Sequence, residues 1–481
     1  MFDKFDKKPA VFELATHSES IRYCMPKNYW HAVQLGLYQT VLKDHWTVLP
    51  KSKCAYKLSQ LKRFQITKSD AAFTVHQLLT NKYYWFHQKA IVIALLPLYP
   101  AKVFKFLHNN RYLLVRKYYL GVYVALCHHF KQSIDEKLLK KLPSDDINTV
   151  CLLNNIVHHT TQSKLDTLNH FLLNNHLTKL TVYDKNQQLS VNNLTCHHVD
   201  PVQQNMPLVS ILVTVYNASD TIVACIDSLL NQSYKNLQII IINDCSTDDS
   251  LQKLQALKNK DKRIVLIDLP KNVGTFVAKN IGATYATGEF ITCQDSDDFA
   301  HPQKIEQQTL PLLSDKNLIA TLSDWLRIDE HGQFYIRQFY PFLRQNPASP
   351  LFRRKLVMQK TGLWHNVRTG ADSEFLERLK VVFGNHAIAR IKLPLTFASH
   401  RDNSLMTSKE FGIYNQKSAL DRLDYWEHWR LWHIDCLSKQ KMPVIPNVNM
   451  PTEHVKLFSI PKKLVLKSED IDYCLLHHKV Y

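Results

Sequence analysis

The chain has 481 residues and a formal net charge of +18, too long for one ordinary core, so at least two domains are expected. Apolar residues make up 45% and charged residues 21%, a balance typical of folded proteins that excludes a disordered chain. The longest apolar stretch, residues 90–99, has about half the length that a membrane-spanning helix needs, so no such helix is predicted.

The cysteine pattern and the first residues indicate in which cellular compartment the protein is expected. The ten cysteines contain no Cys-x-x-Cys pair, and residues 1–8 include no apolar signal segment. Both observations predict a reduced, cytoplasmic protein.

Residues 1–205 are predicted to form a mainly helical, basic N-terminal domain that ends in a linker. Residues 51–131 carry fourteen Lys and Arg against one acid, Asp70, a field that attracts polyanions. Aromatic residues interleave with these cations, which leaves two interpretations open. The helices contact an anionic membrane surface through 51–131, or they pack on each other under the Lys and Arg stems.

After a polar linker rich in Asn and Gln, the pattern changes at residue 208. Strands are predicted at 208–215, 237–242, 264–267 and 290–292, and helices at 220–230, 248–257 and 275–286. This alternation favours a mostly parallel sheet flanked by helices, in a domain spanning 206–407. Residues 408–481 are predicted as a short helical extension that packs on this domain, with Trp426, Trp429 and Trp432 as packing residues.

Each predicted strand ends in polar residues, where ligands bind in an open α/β sheet. The Tyr216 ring, after the first strand, could stack on a nucleobase. The Asp244 carboxylate, after the second strand, could accept a hydrogen bond from a base N–H. The helix after the third strand presents free N–H groups to an anion. The carboxylates after the fourth could hold a divalent cation beside a diphosphate. The candidate nucleotide-binding residues are Thr214, Tyr216, Asn217, Asp244, Lys279, Asn280, Asp295 and Ser296.

Four segments in this order, 207–218, 243–250, 272–275 and 295–298, resemble family-2 glycosyltransferases of the GT-A fold. The resemblance covers residues 206–407 and leaves both flanks unexplained. It implies inverting transfer of a sugar from a nucleotide diphosphate donor, UDP by default, to a hydroxyl of a glycan or lipid-linked acceptor. It also implies Mn²⁺ or Mg²⁺ as the cofactor and no nucleic-acid partner.

The resemblance assigns roles to further residues. Asp297 matches the metal-binding carboxylate, and His400 matches a histidine that completes the metal site or touches the diphosphate. Asp372 matches the base that takes the acceptor proton. Glu374 is the alternative base, although a first-turn Glu also stabilises its own helix. Residues expected near the acceptor, besides Glu374, are Asp298, Trp364 and Arg353.

Three departures from the family pattern matter. Asn243 to Ser246 read Asn-Asp-Cys-Ser where the family often has Asp-Asp-Gly-Ser, so the nucleoside pocket is expected to differ in detail. Ala371 stands where the family commonly has a Glu. One alternative carboxylate is therefore missing, which favours Asp372 as the base. The Gln-x-x-Arg-Trp motif of membrane-embedded processive synthases is absent from the sequence.

The leading hypothesis is a cytoplasmic transferase, peripheral at the inner membrane face, that acts in capsule or lipopolysaccharide synthesis. The alternative is a catalytically inactive scaffold of the same fold that binds an anionic glycan or membrane surface. The carboxylates that match the family positions, Asp244, Asp297 and Asp372, count against the inactive scaffold. A nucleotidyltransferase would need a glycine-rich phosphate loop near the first strand, and the sequence has none there.

Overall fold

The computed structural model describes residues 26–43, 50–196, 199–201, 205–401, 404–405, 407–408, 410–446 and 457–481. Within these ranges, none of the helices has both the length and the apolar character required to span a bilayer. Residues 1–8, on which the prediction about a signal segment rests, lie outside the described residues.

The N-terminal region is helical up to residue 174. Side-chain caps fix several helix starts: Thr67 accepts the Asp70 N–H at 3.2 Å, and Asp146 accepts the Asn148 N–H at 3.1 Å. A short hairpin, β1 (Leu180–Val182) with β2 (Leu194–Cys196), follows the last of these helices. The helices are α1 (Pro26–Leu35), α2 (Tyr38–Lys43), α3 (Pro50–Lys62), α4 (Lys68–Thr80), α5 (Gln88–Leu95), α6 (Pro100–Asn109), α7 (Lys117–His129), α8 (Glu136–Leu139), α9 (Ile147–Ile156) and α10 (Thr161–Asn174).

Residues from 209 onward form an eleven-stranded sheet with helices between its strands. The strands are β3 (Val209–Val215), β4 (Leu237–Asn243), β5 (Ile264–Asp268), β6 (Phe290–Asp295), β7 (Asp298–Ala300), β8 (Ala320–Asp329), β9 (Phe334–Tyr335), β10 (Arg344–Gln345), β11 (Leu351–Arg353), β12 (Ile388–His400) and β13 (Lys479–Val480). The helices are α11 (Ile222–Leu230), α12 (Ser250–Lys260), α13 (Thr275–Thr284), α14 (Lys304–Ser314), α15 (Arg354–Lys360), α16 (Ala371–Phe383), α17 (Gln416–Ser438) and α18 (Ser468–His477).

The main path of the sheet has the order β13-β5-β4-β3-β6-β11-β8-β12-β7, and β9 and β10 both pair with β8. The long ladders are parallel, namely β5 with β4, β4 with β3, β3 with β6, and β8 with β12. Antiparallel β11 joins the two parallel groups by pairing with both β6 and β8. This is the mostly parallel α/β architecture that the alternating pattern predicts.

The register brings the strand ends together at one edge. Thr214 lies opposite Asp295, and Val215 lies opposite Asn243. Because these strands run parallel, the loops that follow β3, β4 and β6 share the carboxyl edge of the sheet. That edge positions the candidate site.

The helical region and the far half of the sheet share one apolar core. Buried residues of α7 and α9 belong to the same cluster as Leu326 of β8 and Phe397 of β12. Asn155 also exchanges two hydrogen bonds with the Phe334 backbone, at 2.7 and 2.8 Å. The two regions are therefore packed together, and the domain boundary at residue 205 stays a prediction.

Helix α17 lies between the sheet region and the first helices. Trp429 is fully buried, and Trp426 donates its indole N–H to the Leu35 carbonyl at 2.7 Å. Gly36, at φ +82°, leaves room for this ring, because a Cβ there would lie 2.7 Å from the Trp426 Nε1. The predicted packing role is confirmed for these two tryptophans.

Candidate active site

The first loop of the site is held by hydrogen bonds between the ends of β3 and β4. Asn217 Oδ1 accepts the Thr247 N–H at 2.8 Å, and the Asn217 N–H donates to Ser246 at 3.1 Å. The Thr214 hydroxyl lies 2.7 Å from the Thr275 hydroxyl at the start of α13. Tyr216 is about half exposed, so its ring is available to a ligand at this edge.

Asp244 is buried, and backbone groups occupy its carboxylate. It accepts the N–H groups of Val273 and Gly274, both at 2.8 Å, and the Asn272 amide at 3.1 Å. Gly274 has φ +80°, which suits glycine at this turn before α13. Burial raises the pKa of Asp244 to about 6, although the two backbone N–H groups oppose the rise. The carboxylate predicted to face a nucleobase therefore shapes the loop that opens α13.

Asn280 and the Trp364 backbone are joined by hydrogen bonds. The Asn280 amide donates to the Trp364 carbonyl at 2.7 Å and to Asn366 at 2.9 Å, and its oxygen accepts the Trp364 N–H at 3.2 Å. The Trp364 side chain is only 1% exposed. The predictions that Asn280 contacts the nucleotide and that Trp364 faces the acceptor do not fit this packing, because both side chains are committed to the core.

Lys279 is buried at the centre of the site. Its Nζ lies 3.4 Å from Asp295 Oδ1. Burial alone would lower the pKa of Lys279, but Asp295 and, less strongly, Asp372 raise it overall. The lysine thus interacts with carboxylates from β6 and from α16, which are far apart in sequence.

The next two carboxylates have separate partners. Asp297 accepts from Arg401 Nε at 3.1 Å. Burial raises the pKa of Asp297, Arg401 opposes this, and Asp295 adds to the rise. Asp298 is buried and accepts the Ser399 N–H at 3.3 Å. Ser296 is half-buried, and its carbonyl accepts the Thr221 hydroxyl at 3.0 Å.

His400, at the end of β12, stacks on Tyr335. The two rings are nearly parallel, with their centroids 3.6 Å apart. Across the part of the chain that the structure describes, no group of three or more His, Cys, Asp or Glu could hold a metal ion. The metal roles of Asp297 and His400 stay predictions.

Asp372 lies in the first turn of helix α16. Burial raises its pKa, while Lys279 and Arg422 lower it and Asp295 raises it further. A carboxylate with a raised pKa is a stronger proton acceptor than an exposed one. Asp372 thus lies close enough to Lys279 and Asp295 for both to affect its pKa.

Glu374 and Arg353 have structural partners. Glu374 is fully buried, with Arg378 Nε at 2.8 Å and His433 Nε2 at 3.0 Å. Arg353 donates to the Leu318 carbonyl at 2.9 Å and lies opposite Phe290, at the other end of β6 from Asp295. Since six residues of strand span roughly 17–20 Å, Arg353 is far from the site. The predictions that Glu374 is a base and that Arg353 borders the acceptor do not fit these positions.

Three cations near the carboxylates were not predicted as site residues. Arg401 binds Asp297, and Arg422 of α17 lies close enough to Asp372 to affect its pKa. Lys304 of α14 is fully buried, and its Nζ has no hydrogen-bond partner among the described residues. Burial lowers the pKa of Lys304 to about 8, opposed in part by Cys293 and Asp298. The position of Arg401 next to His400 was a weak sequence signal for a role in the site. Arg422 had no such signal in the sequence, because it lies fifty residues after Asp372.

The sequence from 210 to 371 matches the family model for glycosyl transferase family 2. Residues 210–371 belong to this family. A family-2 domain thus contains the ends of β3, β4 and β6 and reaches the start of α16, next to Asp372. The predicted family resemblance is confirmed for these residues.

Bacterial glycosyltransferases are similar to part of this chain, over part of their own length. An uncharacterized glycosyltransferase of Haemophilus influenzae is 42% identical over 27% of this chain and 51% of that protein. Glycosyltransferase GlyG of Streptococcus pneumoniae is 30% identical over 33% of this chain and 51% of its own. The solved S. aureus TarS 1-349 in complex with UDP shares 18% identity, with a TM-score of 0.35, over 46% of this chain and 64% of that one. The chain spans about half the length, or less, of the curated relatives cited here.

Proposed function

We propose that this protein is an inverting glycosyltransferase that moves a sugar from a nucleotide diphosphate donor to a hydroxyl of an acceptor glycan. One observation carries the proposal: buried Lys279 pairs with Asp295 at the carboxyl end of β6, and both lie within the family-2 match. Asp372, the residue just after that match, is close enough to Lys279 to affect its pKa. UDP is the proposed nucleotide, and surface glycan synthesis, as in capsule or lipopolysaccharide, is the proposed role.

The donor is proposed to bind at the loops after β3 and β4. Tyr216 presents an exposed ring to a base, and Thr214 and Asn217 shape the loop that carries it. The diphosphate is proposed to lie by Asp295 and Ser296, with Lys279 beneath.

The carboxylates after β6 are proposed to bind a hard divalent cation together with the donor diphosphate. Asp295 and Asp297 lie close enough for Asp295 to raise the pKa of Asp297, and carboxylate oxygens are the ligands that Mg²⁺ and Mn²⁺ prefer. Asp297, with Asp295 beside it, would hold the ion. A bound cation would neutralise the charge that gathers on the departing nucleoside diphosphate.

Asp372 is proposed as the base that accepts the proton of the attacking hydroxyl. Inversion in a single displacement needs such a group on the acceptor side. Glu374 cannot serve, because Arg378 and His433 hold its carboxylate in the core.

The experiment is a screen of nucleotide sugars for hydrolysis and transfer, with Mn²⁺, Mg²⁺ or EDTA added in turn. We expect one UDP-sugar to be turned over and EDTA to abolish the reaction. The control is Asp166→Asn, which removes an exposed carboxylate of α10 in the helical region. Absence of turnover for every donor would favour the inactive scaffold instead.

A further inference from the structure

A cavity of about 1020 Å³ lies between the helical region and the sheet region. Its lining combines residues of α7 and α9 with the β9 segment and Tyr414. It contains none of the carboxylates of the candidate active site. Its volume is at the upper end of the ~300–1000 Å³ of ordinary ligand pockets, so it has room for more than one sugar ring.

The lining of the cavity carries more cationic than acidic side chains, with Lys131 and Arg337 against Asp329. Lys131 and Arg337 both line it, and the Arg337 Nε has no hydrogen-bond partner among the described residues. The one acidic lining residue, Asp329, already accepts the N–H groups of His331 and Gln333, at 2.9 and 2.8 Å. An anionic ligand would therefore find guanidinium and ammonium donors here.

Aromatic rings stand beside these cations. Tyr335, Phe339 and Tyr414 line the cavity, and the Arg337 guanidinium lies 5.7 Å from the centre of the Tyr414 ring. Flat ring faces suit the apolar faces of sugars, while the tyrosine hydroxyls suit their polar edges. The combination favours a charged sugar over a purely apolar chain.

The cavity is connected to the active site through one ring stack. Tyr335 lines the cavity and stacks on His400, and the next residue, Arg401, binds Asp297. Tyr335 and His400 thus lie between the cavity and Arg401, which contacts Asp297.

We propose that this cavity binds the acceptor, and that the acceptor is a glycan that carries carboxylate or phosphate groups. Arg337 and Lys131 pair with its charge, and the rings of Tyr335 and Phe339 support its sugar faces. The helical region, which lies outside the family-2 match, then supplies part of the acceptor specificity. This inference rests on the proposed function for its role, but the binding site can be tested alone.

The test measures binding of two fluorescent tetrasaccharides, acidic hyaluronan and neutral cellotetraose, to the full chain. We expect the parent to prefer the acidic probe, with affinity that falls as salt rises. Arg337→Ala should weaken acidic binding at least tenfold, and Arg337→Lys should restore part of it. Lys53→Ala removes an exposed cation of the same basic region outside the cavity and should change nothing. Melting temperatures show that each variant is folded.

Three results would overturn the inference: no binding by the parent, equal binding of both probes, or equal acidic binding by parent and Arg337→Ala. Competition by phosphatidylglycerol vesicles, but not by free hyaluronan, would assign the cavity to a lipid and also overturn it. UDP binding by the parent is measured separately. If UDP fails to bind while acidic binding depends on Arg337, the proposed function fails and the glycan site stands.

Discussion

Lys279 is the residue on which the site is built. A fully buried ammonium is costly unless opposite charges surround it, and Asp295 and Asp372 supply them. The buried ion pair of Lys279 with Asp295 lies at the place where a donor diphosphate is proposed to bind.

Replacing this lysine tests its position. We expect Lys279→Met to weaken UDP binding at least tenfold, because the variant leaves Asp295 and Asp372 without their shared cation. Isothermal titration with UDP measures the effect. Lys260→Met, at an exposed position at the end of α12, is the control. Unchanged UDP affinity in a folded Lys279→Met protein would contradict the role.

The sequence predicted the carboxylates after β6 because they follow an apolar strand in a fixed order. It could not separate Asp244, whose oxygens are used by backbone N–H groups, from a carboxylate free to meet a base. Nor could it show that the Asn280 amide bonds to the Trp364 backbone, because Trp364 lies 84 residues away in the chain. Whether a polar side chain is available to a ligand depends on which groups the fold leaves without partners. Tertiary packing decides this, and local sequence does not encode it.

At the scale of elements, α16 and α17 are joined by buried charges. Burial would raise the pKa of Glu374, but Arg378 and the His433 hydrogen bond lower it to about 2. Glu377 binds Arg430 at 3.0 Å and Lys380 in the same way. The pairs of Glu374 with His433 and of Glu377 with Arg430 hold α16, which carries Asp372, against α17.

The stability contributed by Glu374 depends on pH. Because the folded pKa lies below the unfolded value of about 4.3, its contribution is complete above that pH and is lost as pH falls toward 2. We expect Glu374→Gln to lower the free energy of unfolding by about 3 kcal/mol at pH 7, since Arg378 loses its buried partner. The gap between variant and parent should shrink below about pH 4.3.

Urea unfolding at pH 7, 5 and 3.5 measures this gap. Asp435→Asn is the control, because its partner Lys439 and Asp435 itself are both exposed on α17. A gap that stays constant across this range would show that Glu374 titrates normally in the folded protein.

The alternation of strands and helices predicted β3 to β6 within a few residues. β6 continues to Asp295, past the predicted end at 292, because β3 pairs with it as far as Thr214. The second half of the sheet was not predicted. β11 joins β6 to β8, and β12 runs for thirteen residues beside β8, contacts between segments distant in the chain that local periodicity does not encode.

Across the whole molecule, α17 ties the helical region to the sheet region. Glu427 is buried and accepts the N–H groups of Gln39 and Thr40 at the start of α2, at 2.9 and 2.6 Å. Arg63 of the segment after α3 pairs with Asp424 at 2.5 Å. Helix α17 thus contacts a helix that lies almost 400 residues before it in the chain.

We expect Glu427→Ala to lower the free energy of unfolding by about 1–3 kcal/mol, because two buried N–H groups lose their acceptor. Hydrogen exchange should accelerate in residues 38–43 and stay unchanged in β3 and β4. Glu410→Ala, at an exposed position before α17, serves as the control. Equal exchange in parent and variant would mean that α2 is held by other contacts.

The basic segment 51–131 gives a further prediction at this scale. We expect the protein to bind vesicles containing phosphatidylglycerol more tightly than neutral ones, with the difference falling between 50 and 300 mM salt because the attraction is screened. Co-sedimentation measures this. Equal, salt-insensitive binding would remove the electrostatic part of the membrane interpretation and favour packing as the role of these residues.

The most direct test of the central claim is the rate of sugar transfer by Asp372→Asn, compared with the parent and with Asp166→Asn, at saturating donor. The claim that Asp372 takes the acceptor proton in the same site as Asp295 predicts that kcat falls by about 10²–10⁴-fold, while UDP still binds and the melting temperature is kept. A folded Asp372→Asn protein that transfers sugar as fast as the parent would contradict it.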